Sequence, residues 1–441
     1  GCMRLATEGD REDDRRDRGV PAALDAGAVV FDTAHAYGKD DDDKGHNERL
    51  LGRALGQRGA LDRVHIVSKG GMARPAGGWA PDGKKKSIVD DAAAGAAALG
   101  RAADTFLLHA PDPSVPFSTS VRALQTVLDR GLAKQVGLSN VNRAQLDAAL
   151  DVVAVAAVSV AVSWFDRTAL DGGVVARCVE RGVRVLAHRP LGGVARQRTL
   201  ARDKTLQALA QKHGVDVVTV ALAAVLDVNP LVTVVPGTTS PAHLQQLVAA
   251  ARVVFDDDDR ALLAARLDRR AARGRVAPAL RDDGEVVLLM GLPGAGKTDA
   301  VAGYVARGHR RLSRDVSGGT MAALHDALDE VIAGGVRRVV LDNTYVTRAQ
   351  RAAAIDVAWK HGLPVRGVWH DTPLKEAQVN VVLRMLAVHG RLLSPAEMQR
   401  QSAPDALPPH AQHRLLKQLE LPSADEGFAA LDVVSFVRRA G

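Results

Sequence analysis

The sequence predicts an α/β protein of two parts: an N-terminal (β/α)8 barrel of the TIM type, then a parallel αβα domain of the P-loop NTPase type. Through about residue 265, short β-branched runs alternate with helical stretches rich in Ala, Leu and Arg, a pattern typical of parallel strands joined by helices. Farther on, an apolar run at 286–290 leads directly into a glycine-rich loop and a helix. At 441 residues the chain is long enough for two hydrophobic cores.

Eight candidate strands account for the predicted barrel. In chain order they are the runs 1–3, 29–31, 64–67, 105–108, 135–138, 152–163, 183–186 and 232–235. Eight strand–helix units of this length favour a closed barrel, which keeps its active site at the C-terminal ends of its strands. We therefore predict a barrel domain over residues 1–265.

A basic segment separates the two predicted domains. Between Arg266 and Arg281 there are six arginines and one acidic residue, and the turn signal Asp282-Asp-Gly284 follows. Such a run is usually an exposed connector, although a strip that contacts phosphates is the alternative. We predict a linker over 266–284 and a second domain over 285–441.

Composition restricts the possible partners and compartment. The formal net charge is +7, but residues 285–441 carry 19 basic and 16 acidic residues, so the excess is spread over the chain and favours nucleic-acid binding only weakly. Cys2 and Cys178 are too few and too far apart for a disulfide framework or a zinc site, which indicates a reducing compartment. The longest apolar run is too short to cross a bilayer, and the N-terminus lacks a signal-peptide pattern, so we predict a cytoplasmic protein without a membrane partner.

Four polar side chains close the first predicted strands of the barrel. Asp32 and Tyr37 follow the run 29–31, Lys69 follows 64–67, and His109 follows 105–108. Because the carboxyl ends of parallel strands meet at one rim, we expect the four to converge. There they suit carbonyl reduction: Lys69, paired with Asp32, lowers the pKa of Tyr37 so that the phenol donates a proton, and His109 orients the carbonyl oxygen.

This region resembles the aldo-keto reductase family over nearly its whole length. The matching residues, in order, are Asp32, Tyr37, Lys69, His109, the pair Ser139-Asn140 and the loop Val235-Pro236-Gly237-Thr238-Thr239. The resemblance implies that Ser139 and Asn140 contact the nicotinamide amide and that Pro236, Gly237 and Thr238 help to hold the adenosine phosphate.

The same resemblance implies NADPH as hydride donor and a small carbonyl compound as substrate. Where that family has Gln, an aromatic residue and Arg at cofactor-binding positions, this chain has Ser159, His188 and His243. Since histidine binds phosphate more weakly than arginine does, the choice between NADPH and NADH stays open.

The glycine-rich loop Gly291-Leu-Pro-Gly294-Ala-Gly296-Lys297-Thr298 matches the pattern GxxxxGK[ST] between a strand and a helix. The three glycines let backbone N–H groups surround phosphates, Lys297 bridges the β- and γ-phosphates, and Thr298 ligates Mg²⁺. We therefore predict a site for ATP and Mg²⁺.

Residues downstream of the loop indicate phosphoryl transfer to a hydroxyl group. Asp315 is a candidate general base, and Asp342 closes a predicted strand where a P-loop fold places its carboxylate that binds Mg²⁺ through water. Arg384 and Arg391 are candidates to close over the nucleotide as a lid and to neutralise transition-state charge. The alternative to a catalytic role for Asp315 is a surface ion pair with a neighbouring basic residue.

The stretch is similar to the kinase domain of polynucleotide kinase-phosphatase enzymes. The similarity rests on the loop 291–298, Ser313-Arg314-Asp315, Leu341-Asp342-Asn343-Thr344, Arg351, Pro364-Val365-Arg366, Asn380 with Arg384, and the run 421–428. It implies that Asp315 activates the 5′-hydroxyl of a DNA or RNA end. Tyr345 departs from that family's pattern, and no DxDGT-like phosphatase segment is present.

The leading hypothesis is therefore a bifunctional enzyme that couples a polynucleotide 5′-kinase to a reductase-like barrel. The alternative is a small-metabolite kinase fused to a non-catalytic barrel used as a binding module. The carbonyl substrate, the preference for RNA or DNA and the oligomeric state stay open at this point, because they depend on loop shapes and surfaces.

Overall fold

The computed structural model of the chain describes residues 1–7, 19–238, 241–264, 266–267, 277–394, 396–398 and 407–437. The chain forms two compact units, one of Gly1–Leu170 with Val174–Arg273 and one made mostly of Gly274–Gly441. The division falls inside the predicted linker 266–284, of which residues 268–276 lie outside the described part.

The strands of the first unit are β1 (Val30–Asp32), β2 (His65–Gly70), β3 (Met72–Ala73), β4 (Ala80–Pro81), β5 (Ala103–Leu108), β6 (Ala133–Ser139), β7 (Val155–Ala161), β8 (Arg184–His188) and β9 (Val232–Val235). In the described residues, all but β3 and β4 form one parallel sheet in the order β1-β2-β5-β6-β7-β8-β9, and β3 and β4 pair as an antiparallel hairpin. The predicted barrel architecture is confirmed, with strands in the order of the chain.

The predicted strand at residues 1–3 is wrong, because a helix begins at Arg4 and leaves too few residues for a ladder. The chain start nevertheless lies at the ends of the two outer strands. The Gly1 amino group donates to the Pro236 carbonyl at 2.9 Å, and the Cys2 N–H donates to the Asp32 carbonyl at 2.8 Å. Residues 1 and 2 thus connect the C-terminal end of β1 to that of β9.

The helices of the first unit are α1 (Arg4–Thr7), α2 (Gly19–Asp25), α3 (His46–Gln57), α4 (Lys85–Leu99), α5 (Phe117–Asp129), α6 (Arg143–Leu150), α7 (Thr168–Asp171), α8 (Val174–Glu180), α9 (Gln197–Ala201), α10 (Lys204–His213), α11 (Val217–Asp227), α12 (Pro241–Ala249) and α13 (Asp257–Leu263). Most of the core lies between these helices and the sheet. A smaller cluster is formed by Val67, Leu107, Ala157 and Leu186, one from each of four strands. Apolar side chains therefore cover both faces of the sheet, as in a barrel whose interior is packed.

The strands of the second unit are β10 (Glu285–Met290), β11 (Arg310–Leu312), β12 (Arg338–Asp342), β13 (Val365–Asp371) and β14 (Ala430–Ser435). Its helices are α14 (Lys297–Ala306), α15 (Arg314–Ser317), α16 (Met321–Ala333), α17 (Arg348–Lys360), α18 (Leu374–His389) and α19 (Pro409–Gln418). The strands are parallel and ordered β11-β12-β10-β13-β14. The apolar run of β10 is buried on both faces, with Val286 and Leu288 in one cluster and Val287 and Leu289 in the other, which explains why it does not alternate with polar residues. The predicted αβα fold is confirmed.

Two further expectations concern cysteines and membranes. Cys2 and Cys178 are free thiols, and both are buried. Among the described residues no single helix is long and apolar enough to span a membrane, and one sharply bent pair, α10 with α11, passes only by length and composition.

Candidate active sites

The four polar residues predicted for the barrel do lie at one rim, and three of them are in contact. The Lys69 Nζ atom is 2.7 Å from the Asp32 Oδ2 atom and donates to the Tyr37 hydroxyl at 3.2 Å. It also donates to the Thr33 carbonyl at 2.8 Å, which fixes the ammonium between β1 and β2. All of these side chains are buried, so the ion pair operates with little screening by water.

The pKa of Tyr37 depends on its burial as well as on the charges of Lys69 and Asp32. Burial raises the pKa of the Tyr37 phenol; the charge and hydrogen bond of Lys69 act to lower it, and the Asp32 carboxylate opposes Lys69. Lys69 therefore acts in the predicted direction, and burial, which has the larger effect, leaves the pKa of Tyr37 above its ordinary value. Burial also disfavours the charged form of Lys69, yet the pairing with Asp32 and Tyr37 raises its pKa, so this lysine stays protonated.

His109 lies beside the phenol as an uncharged imidazole. Its ring centroid is 5.8 Å from that of Tyr37, in an edge-on arrangement. Burial, followed by the positive charge of Lys69, lowers the pKa of His109 well below its ordinary value. The buried Nδ1 atom has no hydrogen-bond partner among the described residues. A neutral imidazole with a spare nitrogen is suited to orient a carbonyl oxygen through its N–H group.

Arg74 and Trp79, on the β3–β4 hairpin, were not predicted as site residues. The Trp79 ring lies edge-on to Tyr37 at 6.2 Å and to His109 at 5.9 Å between centroids. The Arg74 guanidinium carbon lies 3.7 Å from the centroid of the Trp79 ring. The sequence did contain a sign of this position: Trp79 is a large apolar residue in a stretch of Gly, Pro and charged residues, and such a residue often packs against a site.

A buried polar network on α3 and β2 supports the loop that carries Tyr37, and sequence reasoning also missed it. Glu48 is fully buried and binds the His35 Nδ1 atom at 2.8 Å and the Ser68 hydroxyl at 2.5 Å. The His35 backbone N–H donates to the Lys69 carbonyl at 2.9 Å. The loop after β1 is thereby tied to the strand that carries the lysine.

Ser139 ends β6, and Asn140 follows it next to His109. The Asn140 amide nitrogen donates to the His109 carbonyl at 3.0 Å and to the Ser139 hydroxyl at 3.1 Å, while the amide oxygen shares a hydrogen bond with the His188 Nε2 atom at 3.1 Å. Burial lowers the pKa of His188 to about 4, so this ring is neutral near pH 7. Asn140 is held in the left-handed backbone region, with φ of 57°.

The nicotinamide end of a cofactor fits this part of the rim. The Ser159 hydroxyl, on β7 directly opposite Ser139, is buried and has no hydrogen-bond partner among the described residues. An unpartnered hydroxyl beside Ser139 and Asn140 offers the donor and acceptor groups that a carboxamide requires. Pro236, Gly237 and Thr238 follow β9 at the same end of the sheet; Thr239 lies outside the described residues.

The loop Gly291–Thr298 joins β10 to α14 in the second unit and has the geometry of a phosphate cradle. Gly291, Gly294 and Gly296 have φ of 145°, 83° and 90°. A Cβ atom at Gly294 would lie 2.2 Å from the Ala377 carbonyl, so no larger residue fits there.

Side chains from outside the loop hold its carbonyl groups. The donors Gln412, Asn380 and Thr372 bind the carbonyls of Pro293, Gly294 and Ala295 at 2.8, 2.8 and 3.0 Å. The N–H groups of Gly291 and Ala295 donate to backbone carbonyls, and with the three carbonyls held on that side the other N–H groups of the loop are left for an anion. Asn380, one of the residues of the kinase resemblance, thus supports the loop.

Lys297 closes the cradle from the helix side. Its Nζ atom donates to the carbonyls of Gly291 and Leu292 at 2.8 and 2.9 Å, inside the loop. Burial lowers the pKa of Lys297 to about 8, and the charges of Asp342 and Asp315 act against that lowering. Phosphate oxygens would replace the two carbonyls as better partners for the ammonium.

Asp342 ends β12, as predicted, but is engaged by an arginine that sequence reasoning missed. The Arg311 Nη2 atom donates to the Asp342 Oδ2 atom at 2.5 Å. Asp315 lies at the start of α15 with an exposed side chain, and its backbone N–H bonds the Ser313 hydroxyl at 3.2 Å. Thr298 and Asp342 supply the hydroxyl and carboxylate oxygens that suit Mg²⁺ beside a bound phosphate.

The two predicted lid arginines differ in position. Arg384 lies on α18, and its charge contributes to the lowered pKa of Lys297, which places it within electrostatic reach of the loop. Arg391 instead pairs with Glu397 at 2.5 Å on the surface. Its role over the nucleotide stays a prediction, because that ion pair would have to break first.

Arg351 and Tyr345, which the kinase resemblance also singled out, are both buried. Arg351 is fully buried and binds Glu426 through its Nε and Nη2 atoms at 2.6 and 2.8 Å. Tyr345, the departure from the family pattern, is fully buried with φ of 46°, and it stacks near His325 with centroids 6.4 Å apart. Both side chains therefore belong to the interior of the second unit.

Comparison with known proteins agrees with this division. The Aldo/keto reductase family model matches residues 1–267, and the AAA domain model matches residues 286–402. A probable aldo-keto reductase of Glycine max is 26% identical over 268 residues, covering 54% of this chain and 75% of that protein. An aldo-keto reductase of Strobilurus tenacellus is 27% identical over 277 residues, covering 56% and 79%.

Solved structures give the same picture for the first unit. A thermostable aldo-keto reductase in complex with the inhibitor epalrestat matches with a TM-score of 0.51 and 25% identity, covering 59% of this chain and 89% of its own. An aldo-keto reductase from Klebsiella pneumoniae in complex with NADPH matches with a TM-score of 0.50 and 25% identity, covering 60% and 91%.

Proposed function

The chain belongs to the aldo/keto reductase family through residues 1–267, and we propose on this premise that its first unit reduces small carbonyl compounds with NADPH. The observation that carries the proposal is the buried contact of Asp32, Lys69 and Tyr37 beside a neutral His109. The NADPH in the Klebsiella pneumoniae structure supports the choice of cofactor.

The residues divide the reduction between them. Bound NADPH supplies a hydride to the carbonyl carbon. The Tyr37 hydroxyl gives its proton to the carbonyl oxygen, so that an alcohol forms, and the phenolate is stabilised by the protonated Lys69 until water reprotonates it. Asp32 holds Lys69 in place, and His109 donates a hydrogen bond that orients the carbonyl oxygen. Ser139, Asn140 and Ser159 would hold the carboxamide of the nicotinamide.

An assay of NADPH consumption with a panel of aldehydes tests this function. We expect wild-type protein to oxidise NADPH only when an aldehyde is present, and Tyr37→Phe to bind NADPH with little turnover. Measuring NADPH binding to both proteins by fluorescence quenching distinguishes a loss of cofactor binding from a loss of the chemical step. If wild type failed to bind NADPH or NADH, the barrel would be a non-catalytic binding module, which is the alternative.

For the second unit we propose ATP-dependent transfer of the γ-phosphate to the 5′-hydroxyl of RNA or DNA ends. The match to an AAA domain and the geometry of the loop 291–298 support nucleotide binding and leave the acceptor open. Support for a hydroxyl acceptor comes from Asp315, whose charge is felt by Lys297 and whose side chain is exposed. The similarity to polynucleotide kinase-phosphatase kinases supports the choice of a polynucleotide.

The proposed transfer assigns one task to each residue. Asp315 accepts the proton of the attacking hydroxyl, whose oxygen forms a bond to the γ-phosphorus while the bond to the β-phosphate oxygen breaks, leaving ADP. Lys297 and Arg384 offset the negative charge that is shared by the entering and leaving oxygens. Thr298 and Asp342 would hold Mg²⁺, the latter through water after Arg311 releases it.

The test uses labelled ATP with 5′-hydroxyl and 5′-phosphorylated oligonucleotides of RNA and of DNA. We expect label to enter only the 5′-hydroxyl oligonucleotides, with loss of transfer in Lys297→Ala and Asp315→Asn. A small-metabolite kinase is the competing function. It would label a small hydroxyl compound instead and would lack the fall in affinity with added salt that phosphate contacts to a polymer cause.

A further inference from the structure

The β3–β4 hairpin holds a buried cation next to the proposed site of carbonyl reduction. Arg74 has a relative exposure of only 5%. Its Nη2 atom donates to the carbonyls of Gly38 and Lys39 at 3.1 and 3.3 Å, directly after Tyr37 in the chain. On its other side the guanidinium stacks on Trp79, so that a single indole separates it from the rings of Tyr37 and His109.

The N–H groups on two nitrogens of this guanidinium are unused. The Nε and Nη1 atoms are buried and have no hydrogen-bond partner in the described part of the chain. A buried charge with unsatisfied donors is costly unless a partner is supplied, and a carboxylate oxygen is a strong acceptor for a guanidinium N–H group. The unused donors therefore point to an anion that the described residues do not supply.

The charges around Arg74 leave it available for such an anion. Asp40 and Asp41 face it, but both side chains are exposed, and the contact of Asp41 is to the Arg74 backbone N–H at 2.7 Å. The other cation of the site, Lys69, is neutralised by Asp32 at 2.7 Å. Arg74 is thus a cation near the phenol without an ion pair to a carboxylate among the described residues.

Trp79 covers one face of the guanidinium and is itself accessible. Its relative exposure is 47%, and its contacts to Tyr37 and His109 are ring edges at about 6 Å between centroids. A small shift of the indole would open the guanidinium toward Tyr37 and His109. The described residues make no hydrogen bond to Trp79 that such a shift would break.

We propose that Arg74 selects carbonyl substrates that carry a carboxylate, separated from the carbonyl carbon by about the width of one ring. The carbonyl oxygen of such a substrate would lie between Tyr37 and His109, and its carboxylate would accept a charge-assisted hydrogen bond from one of the unused nitrogens of Arg74, Nε or Nη1, beside Trp79. The inference rests on the proposed reductase function and adds to it the chemical class of the substrate.

The probes are 4-carboxybenzaldehyde and its methyl ester, which share the aldehyde and the ring and differ in charge. With wild-type protein we expect kcat/KM for the carboxylate to exceed that for the ester by about tenfold or more, as for one charge-assisted hydrogen-bonded pair. Added KCl should reduce this ratio, because it screens the attraction without changing the ester. This measurement requires no variant.

Variants assign the preference to one residue. Arg74→Gln should bring the ratio of the two substrates close to one, Arg74→Lys should retain part of it, and Arg122→Gln, an exposed arginine on α5, should leave the ratio as in wild type. A wild-type ratio near one while the ester is reduced would overturn the inference and leave the reductase function standing. A preference that persists in Arg74→Gln would also overturn it. Failure to reduce either aldehyde, with no carboxylate binding by tryptophan fluorescence, would overturn both.

Discussion

At the scale of single residues, Lys69 is the side chain on which the barrel site depends, because it contacts both the carboxylate and the phenol. Lys69→Met would leave Asp32 buried without its partner and would remove the charge that offsets the burial of Tyr37. We expect the rate of carbonyl reduction to fall by about 10²- to 10⁴-fold, the range of a lost general acid. Steady-state kinetics with any accepted aldehyde measure the loss.

The matched control for this prediction is Lys134→Met. Lys134 also pairs with an aspartate, Asp104 at 2.8 Å, but at the N-terminal end of β6, far from the rim, and with an exposed side chain. This variant should keep wild-type kcat. Equal losses in both variants would show that the effect of Lys69→Met is one of general stability.

Lys297 gives a pH-dependent prediction. Because burial lowers its pKa to about 8, the free protein holds a charged lysine below that pH and loses the proton above it. Bound phosphates favour the charged form, so ATP binding above pH 8 should take up a proton and weaken as the pH rises. At pH 6.5 no such uptake should occur at this residue.

Calorimetry in buffers of different ionisation enthalpy counts these protons. We expect uptake of up to about one proton per ATP at pH 9 beyond the value at pH 6.5, after correction for the nucleotide's own titration. In Lys297→Arg, whose guanidinium stays charged, the difference should disappear. An unchanged proton count in that variant would contradict the assignment to Lys297.

At the scale of elements, the phosphate cradle depends on how closely α18 approaches the loop. In Gly294→Ala the added methyl group would lie 2.2 Å from the Ala377 carbonyl at a backbone φ of 83°, so loop or helix must move. We expect ATP affinity to fall at least tenfold, corresponding to about 1.4 kcal/mol. Titration with a fluorescent ATP analogue measures it.

Gly303→Ala is the matched control on α14. A Cβ atom there meets only the end of the Arg307 side chain, at 3.8 Å. Alanine in a helix interior should stabilise the second unit by about 0.5–1 kcal/mol and leave ATP affinity unchanged. Loss of ATP binding in both variants would indicate that the geometry at Gly294 has no special role.

At the scale of the whole molecule, each unit has its own hydrophobic core. The fully buried Arg351–Glu426 pair lies in the second unit, where Arg351→Met would leave the buried carboxylate with Arg348, 3.8 Å away, as its remaining cation. We expect the free energy of unfolding of that unit to fall by about 3–5 kcal/mol. Arg366→Met, which breaks partly exposed pairs with Glu285 and Asp432, should cost only about 1 kcal/mol.

Urea unfolding followed by two probes measures this difference. ATP binding reports the second unit and NADPH binding reports the first. In Arg351→Met the midpoint of the ATP probe should move to lower urea while that of the NADPH probe stays in place. Equal shifts of both probes would show that the chain unfolds as one cooperative body.

The sequence by itself determined the two folds and the positions of most candidate site residues. Asp32, Tyr37, Lys69 and His109 were found because each closes a β-branched run, and parallel strands bring their carboxyl ends together whatever the rest of the chain does. Gly291–Thr298 was found because its backbone chemistry is local: three glycines adopt positive φ between a strand and a helix. A few neighbouring residues are enough to recognise patterns of this kind.

Tertiary structure alone decided what surrounds those residues. Residues 1–3 lack a strand, burial outweighs Lys69 in the pKa of Tyr37, Arg311 engages Asp342, and Arg74 stacks beneath Trp79. Each of these depends on distances between residues far apart in the chain or on how deeply a group is buried. Sequence periodicity carries neither quantity, because desolvation and long-range contacts arise only when the elements pack.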